Sequence, residues 1–103
     1  MGPGMKQDVQ ITLRQVAYDI IDGYETETFA DTVIWAGRRS ATRNEFYQAT
    51  QAGYKADEIF SIYSFEYHDE EQVVYKNVLY DVVRTYQASL DVIELTCQFR
   101  EEL

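Results

Sequence analysis

Apolar and polar residues alternate with a period of two along much of this chain, and that alternation constrains its fold more than any other feature. Side chains of a β-strand point to opposite faces in turn, whereas a helical stripe repeats roughly every 3.6 residues. The clearest run is Val92 to Phe99, where Ile93, Leu95, Cys97 and Phe99 fall on one face and Glu94, Thr96 and Gln98 on the other. Val9, Ile11 and Leu13 likewise alternate with Gln10, Thr12 and Arg14. Such segments predict an antiparallel sheet with one buried and one wet face.

Further strands follow from β-branched and aromatic content. Gln72 to Tyr75 and Val78 to Tyr86 are separated only by Lys76-Asn77, and Asn tolerates the positive φ of a two-residue turn, so the pair predicts a hairpin. Ile59 to Tyr67 reads as a strand with Ile59, Tyr63, Phe65 and Tyr67 on one side and Phe60 and Ile62 on the other, covered on both faces at its centre. Thr32 to Gly37, containing Trp35, reads as a shorter strand ending at its glycine. Asp22-Gly23 is a turn signal, and Tyr24 to Ala30 fits either strand or loop.

One segment breaks the alternation. Thr42 can cap a helix, Glu45 three residues on can reach back to the capping residue's N–H, and Gly53 supplies a left-handed stop. The expected helix spans about residues 43–52, too short to persist without packing. Phe46, Ala49 and Gly53 share a face, which predicts close approach to the sheet with Phe46 as the anchor. The fold class is therefore mainly β, a small antiparallel barrel-like sheet braced by one short helix.

A chain of 103 residues with 46% hydrophobic and 15% aromatic residues supports one core, taken as a single domain over residues 5–103. Met1-Gly2-Pro3-Gly4 reads as an expression scar before a natural start at Met5. No apolar run is long enough to cross a bilayer as a helix, so no membrane role is expected and the chain reads as cytosolic when made. The single cysteine, Cys97, lies on an apolar strand face and reads as a small buried hydrophobe.

Eighteen acidic against nine basic side chains give a net charge of −9, which opposes tight nucleic-acid binding by charge neutralisation. The charges are segregated. Asp19, Asp22, Glu25, Glu27 and Asp31 form one acidic stretch and Asp57, Glu58, Glu66, Asp69, Glu70 and Glu71 another, with Arg38, Arg39 and Arg43 between them. Either these are solvated loops, or acidic and basic edges meet on neighbouring subunits.

Candidate chemistry is thin. His68-Asp69-Glu70-Glu71 contains metal-ligand types, but four consecutive residues cannot converge on one ion, and a calcium loop needs spaced oxygens and a glycine. There is no glycine-rich phosphate loop and no nucleophile flanked by glycines. No enzyme activity, cofactor or metal is expected.

The run from Trp35 to Cys97 nonetheless carries an ordered set of features. Trp35-Ala36 precedes the helix, Glu45-Phe46-Tyr47 lies within it and Gly53 follows; then come Glu66-Tyr67, Val74-Tyr75 before a tight turn, Arg84-Thr85-Tyr86 and Ile93-Glu94-Leu95. In this the chain resembles the head-tail joining proteins, also called head-closure or stopper proteins, of long-tailed phages and prophages of Gram-positive bacteria. The resemblance implies a barrel-like fold with one helix and a mobile loop. It also implies a ring-forming subunit of the virion neck that docks beneath the portal and its adaptor protein, holds packaged DNA and presents a surface to the tail completion protein. DNA would pass through the channel without sequence-specific binding. A tail-terminator or other neck component, and a small prophage-encoded regulator or inhibitor, stay open as alternatives.

Two residue sets carry specific expectations. Arg38, Arg39 and Arg43 at the strand-to-helix corner either meet acidic surface on a neighbouring subunit or the adaptor, or only solubilise the corner. Tyr80, Val82, Arg84 and Tyr86 share a face by alternation, so Arg84 is expected to stack on tyrosines or pair with Glu66 across strands, in preference to contacting a partner.

Overall fold

The structure, a computed structural model, describes residues 6–103; the suggested scar at 1–4 lies outside the described residues. The elements run β1 (Val9–Ile21), β2 (Tyr24–Arg39), α1 (Arg43–Ala52), β3 (Glu58–Tyr63), a 3₁₀ turn (Ser64–Glu66), β4 (Gln72–Tyr75), β5 (Val78–Gln87) and β6 (Val92–Glu102). All neighbouring strands are antiparallel in the order β1-β2-β3-β6-β5-β4, and β4 returns to β1 through Thr12, Leu13 and Arg14. The sheet thus closes on itself, as the expected barrel-like architecture requires.

Both two-residue turns form as their chemistry dictates. Asp22 and Gly23 take φ of 53° and 83°, and Lys76 and Asn77 take 49° and 61°, the pairs of positive φ that match the twist of the flanking strands. Tyr24 to Ala30 is strand, and with Thr32 to Gly37 it belongs to one sixteen-residue strand. That strand does not stop at Gly37 but runs on to Arg39. Gly37 has a different reason to be there: a Cβ at this position would meet the carbonyl oxygen of Lys6 at 2.5 Å, so only glycine admits the incoming chain.

The interior is built from the predicted alternation. Ile11, Leu13, Ile34, Ala36, Phe60, Ile62, Val73, Tyr75, Tyr80, Leu95 and Cys97 form one buried cluster, with edge-to-face contacts of Phe60 on Tyr75 and Tyr80 at 5.3 and 6.3 Å. Each large side chain so buried contributes about 1.5–3 kcal/mol before the ordering entropy is subtracted. Ile59 is buried on the opposite face from Phe60, so β3 is covered on both sides at its centre, as its sequence predicts. The strand itself ends early. Beyond Tyr63 the chain turns through Ser64–Glu66, which removes Phe65 and Tyr67 from the strand and leaves Phe65 exposed, stacked on Tyr63 at 5.6 Å.

Two further expectations need correction. Helix α1 spans Arg43–Ala52 with Thr42 as cap, the reciprocal Glu45 bond and Gly53 at φ 91°, all as predicted. Phe46, however, is 55% exposed, and Ala49 is the one buried residue of the helix. The helix meets the rest of the protein through the small Ala49, and Phe46 is left on its flank. In β5 an irregularity between Val82 and Arg84 sets Val82 opposite Cys97 but Arg84 opposite Thr96. Val82 therefore shares the interior face with Tyr80, while Arg84 and Tyr86 point outward; a bulge inverts the alternation beyond it.

The long β1–β2 hairpin is not all barrel. β1 touches β4 only at Thr12–Arg14 and β2 touches β3 only at Gly37–Arg39. From Gln15 to Ala30 the two strands pair, among the described residues, only with each other. This two-stranded arm accounts for the elongated outline, 53 × 33 × 23 Å.

Candidate functional site

The arginine corner is not one patch. Arg38 lies opposite Phe60 and Arg39 opposite Ile59, so the two side chains leave the sheet on opposite faces. Arg38 donates from Nε and a terminal nitrogen to both oxygens of Glu58, at 2.7 and 2.6 Å, and its guanidinium sits 5.5 Å from the Tyr75 ring, closing that end of the interior. Arg39 grips two carboxylates: Glu45 of the helix at 2.7 and 2.8 Å, and Glu94 of β6 at 3.1 Å twice. The hydrogen bond from Arg39 is the main reason the Glu45 carboxyl falls to about 2, with the Thr42 backbone N–H adding to it against the opposing effect of burial. Glu94 also takes a weak 3.5 Å bond from the Ser61 hydroxyl. Arg43 makes no side-chain hydrogen bond or ion pair among the described residues and is exposed.

Arg84 does stack on a tyrosine, 5.8 Å from the Tyr86 ring, but it makes no bond to Glu66. With Arg39, Glu45, Tyr86, Glu94 and Thr96 it lines a shallow outer depression of about 230 Å³. A second depression of about 530 Å³ is lined by Tyr67, Asp69, Glu70, Glu71, Asp81 and the bulged turn of β5. Burial first, and then the charges of Asp69 and Glu70, push the Tyr67 phenol up to about 12, so it stays a neutral donor, to the Glu70 carbonyl at 2.9 Å. Glu70 is buried and accepts the His68 backbone N–H. These contacts order the acidic turn, and the Glu71 carbonyl, accepting the Val82 N–H at 2.9 Å, ties it to β5. Among the described residues no three His, Cys, Asp or Glu side chains are grouped to hold a metal ion. The Cys97 thiol is fully buried, and burial is the main cause of its raised pKa.

What sets the molecule apart is the apolar surface it leaves in water. Ile20 is 78% exposed, and Tyr18, Phe29, Val33 and Trp35 are each more than half exposed. The pairings Thr12↔Val33, Val16↔Phe29, Tyr18↔Glu27 and Ile20↔Glu25 place these residues on one face, running from the outer wall of the barrel to the tip of the arm. Trp35, part of the ordered motif set, stands at the barrel end of this stripe. At its root Arg14 donates to both oxygens of Asp31, at 2.9 and 3.1 Å, and covers the Phe29 ring at 4.6 Å. The stripe was recoverable from sequence, since Val16, Tyr18 and Ile20 alternate directly into Asp22-Gly23.

A groove of about 710 Å³ lies where α1 meets the end of β6, lined by Phe46, Thr50, Tyr54, Lys55 and Phe99 among others. No single-sequence signal joins Phe46 to Phe99 across 53 positions; the groove exists because the helix rests on Ala49 and holds Phe46 to the side.

The molecule so defined is a small antiparallel barrel-like protein with a peripheral helix and a projecting ribbon. No protein-family model matches the chain, and no curated protein matches it.

Proposed function

We propose that this protein is a structural component of a phage neck, which closes the DNA-filled head below the portal and its adaptor and offers the surface on which the tail docks. The observation that carries the reading is the placement of its exposed apolar side chains: Val33 on the barrel wall leads to Phe29, Tyr18 and Ile20 along a ribbon that leaves the barrel and has no partner among the described residues. A ribbon of this kind suits an assembly subunit, because an isolated two-stranded hairpin is marginal in water and gains from a protein surface laid against it. The resemblance carried by the ordered features from Trp35 to Cys97 supports the type of assembly proposed.

Charge supports the same reading. Carboxylates along a DNA channel repel phosphate and prevent adhesion, so a net charge of −9 suits a ring through which DNA must slide. In this reading the partners are the adaptor protein, the tail completion protein and further copies of the chain. Arg43, unpaired among the described residues, supplies a cation at the corner for a neighbouring subunit or the adaptor, whereas Arg38 and Arg39 shape that corner through their internal ion pairs. The protein acts by surfaces rather than by catalysis.

Heads purified from a lysate lacking the protein test this. Added protein should bind these emptied, adaptor-bearing heads, and protein supplied from a plasmid during infection should leave heads whose packaged DNA resists nuclease; failure of either would refute head closure.

A further inference from the structure

The arm carries its own specification of what it can touch. Towards its tip, two apolar side chains of β1 are set beside carboxylates of β2, Tyr18 opposite Glu27 and Ile20 opposite Glu25. Between residues 15 and 31 there are five acidic side chains and no lysine or arginine. Two arms laid face to face would bring Glu25 and Glu27 against their own kind, which disfavours a symmetric arm-to-arm contact. The complementary surface must offer apolar side chains flanked by free cations.

The same chain has such a surface. In the groove beside α1, Phe46, Tyr54 and Phe99 provide the apolar wall and Lys55 stands at its edge. Arg43 precedes Phe46 by one helical turn on the same side of α1. Neither the Lys55 nor the Arg43 side chain makes an ion pair among the described residues. Asp57, the one carboxylate lining the groove, already accepts the Phe99 backbone N–H at 2.8 Å. An arm does not reach its own groove: one continuous strand, β2, separates the tip at Tyr24 from Arg39 beside the helix, up to about 50 Å at the usual rise of a strand.

We infer that the arm of one copy docks, through Tyr18 and Ile20, into the groove formed by Phe46, Tyr54 and Phe99 of the next copy, with Glu25 and Glu27 meeting Lys55 and Arg43. The contact is head-to-tail, so repetition gives a ring if the rotation closes and a filament if it does not. This inference rests on the ring-forming part of the reading above and assigns the two surfaces that form the ring.

The test uses full-length protein and a short bis-maleimide crosslinker, to which Cys97 is inert because it is fully buried. I20C and Y54C proteins are mixed and crosslinked; a mixed I20C–Y54C dimer should dominate, and the I20C/Y54C double variant should give a ladder. E25K/E27K should abolish the mixed product, and R43E/K55E in the partner protein should restore it, with circular dichroism showing each variant folded. Dominance of the I20C homodimer would assign the arm to a symmetric contact and overturn the proposal. Absence of the mixed product both at high protein concentration and in assembled particles would overturn it too. The neck reading is decided separately in lysates: a ladder with normal virions keeps the contact and removes the neck role, whereas leaking heads without the mixed product do the reverse.

Discussion

Arg39 and Glu45 face each other through two parallel N–H···O bonds of 2.7 and 2.8 Å, and the same guanidinium holds Glu94 on the far side. One arginine thereby fastens the helix that follows β2 to the outer face of β6. This matters because α1 buries only Ala49 and draws little from apolar packing. Glu45 meanwhile accepts the Thr42 N–H at 2.9 Å, so a single carboxylate serves both the cap and the clamp.

The pH dependence of stability should carry this signature. Glu45 is held at about 2 in the folded protein against 4.5 for a free carboxyl, chiefly by Arg39. A depressed folded value means that its contribution is complete above 4.5 and is lost as pH falls towards 2. Glu45→Gln should cost about 1 kcal/mol at neutral pH, the usual worth of a cap with a part-exposed ion pair. Its thermal midpoint should also fall less steeply than the wild type's across the acid range. Parallel curves for the two proteins would contradict the role given to Arg39.

Charge reversal separates folding from docking at the arginine corner. Arg39→Glu sets a third carboxylate beside Glu45 and Glu94 and should lower the melting temperature outright. Arg43→Glu, at an exposed position without internal partners, should change stability by less than about 0.5 kcal/mol. It should weaken co-sedimentation with adaptor-bearing heads. Undiminished co-sedimentation would remove Arg43 from the docking surface.

How much of this could be read from sequence depends on how local the cause is. The Lys76-Asn77 turn, the Asp22-Gly23 turn and the Thr42–Glu45 capping box were legible because each is decided by a few adjacent residues. The outward swing of Arg84 was not, since the bulge after Val82 arises from how β5 registers against β6. Phe46 fits a helix anchor by spacing alone, and only the landing of the helix on Ala49 shows it to be exposed. Arg38 and Arg39 look like a basic pair in sequence; Glu45, one of Arg39's partners, lies six positions on, but Glu58 and Glu94 lie 20 and 55 positions away from Arg38 and Arg39.

Gly37 offers a test of the close approach at the barrel entrance. Gly37→Ala should destabilise by about 1–3 kcal/mol, the usual range for forcing a methyl into packed space. The offending neighbour is the Lys6 carbonyl at 2.5 Å, so deleting residues 1–6 in the same protein should remove most of that penalty. An equal loss with and without the segment would show that another contact is responsible.

The Cys97 thiol should be silent to a thiol reagent in the native state and react fully once denaturant unfolds the chain, since it is buried in the barrel with its pKa raised mainly by that burial. Reaction at a rate typical of free thiols under native conditions would mean that the β5–β6 side of the barrel opens readily.

The central claim is head closure, and electron microscopy of a lysate tests it most directly. The phage or induced prophage carries an early stop codon in this gene, and a parallel culture supplies the intact chain from a plasmid. Finished, unattached tails beside heads emptied of DNA, with normal virions restored by the plasmid, are the predicted result. Full heads bearing tails of abnormal length would move the protein to tail termination, and normal virions without the plasmid would contradict a structural role in the neck.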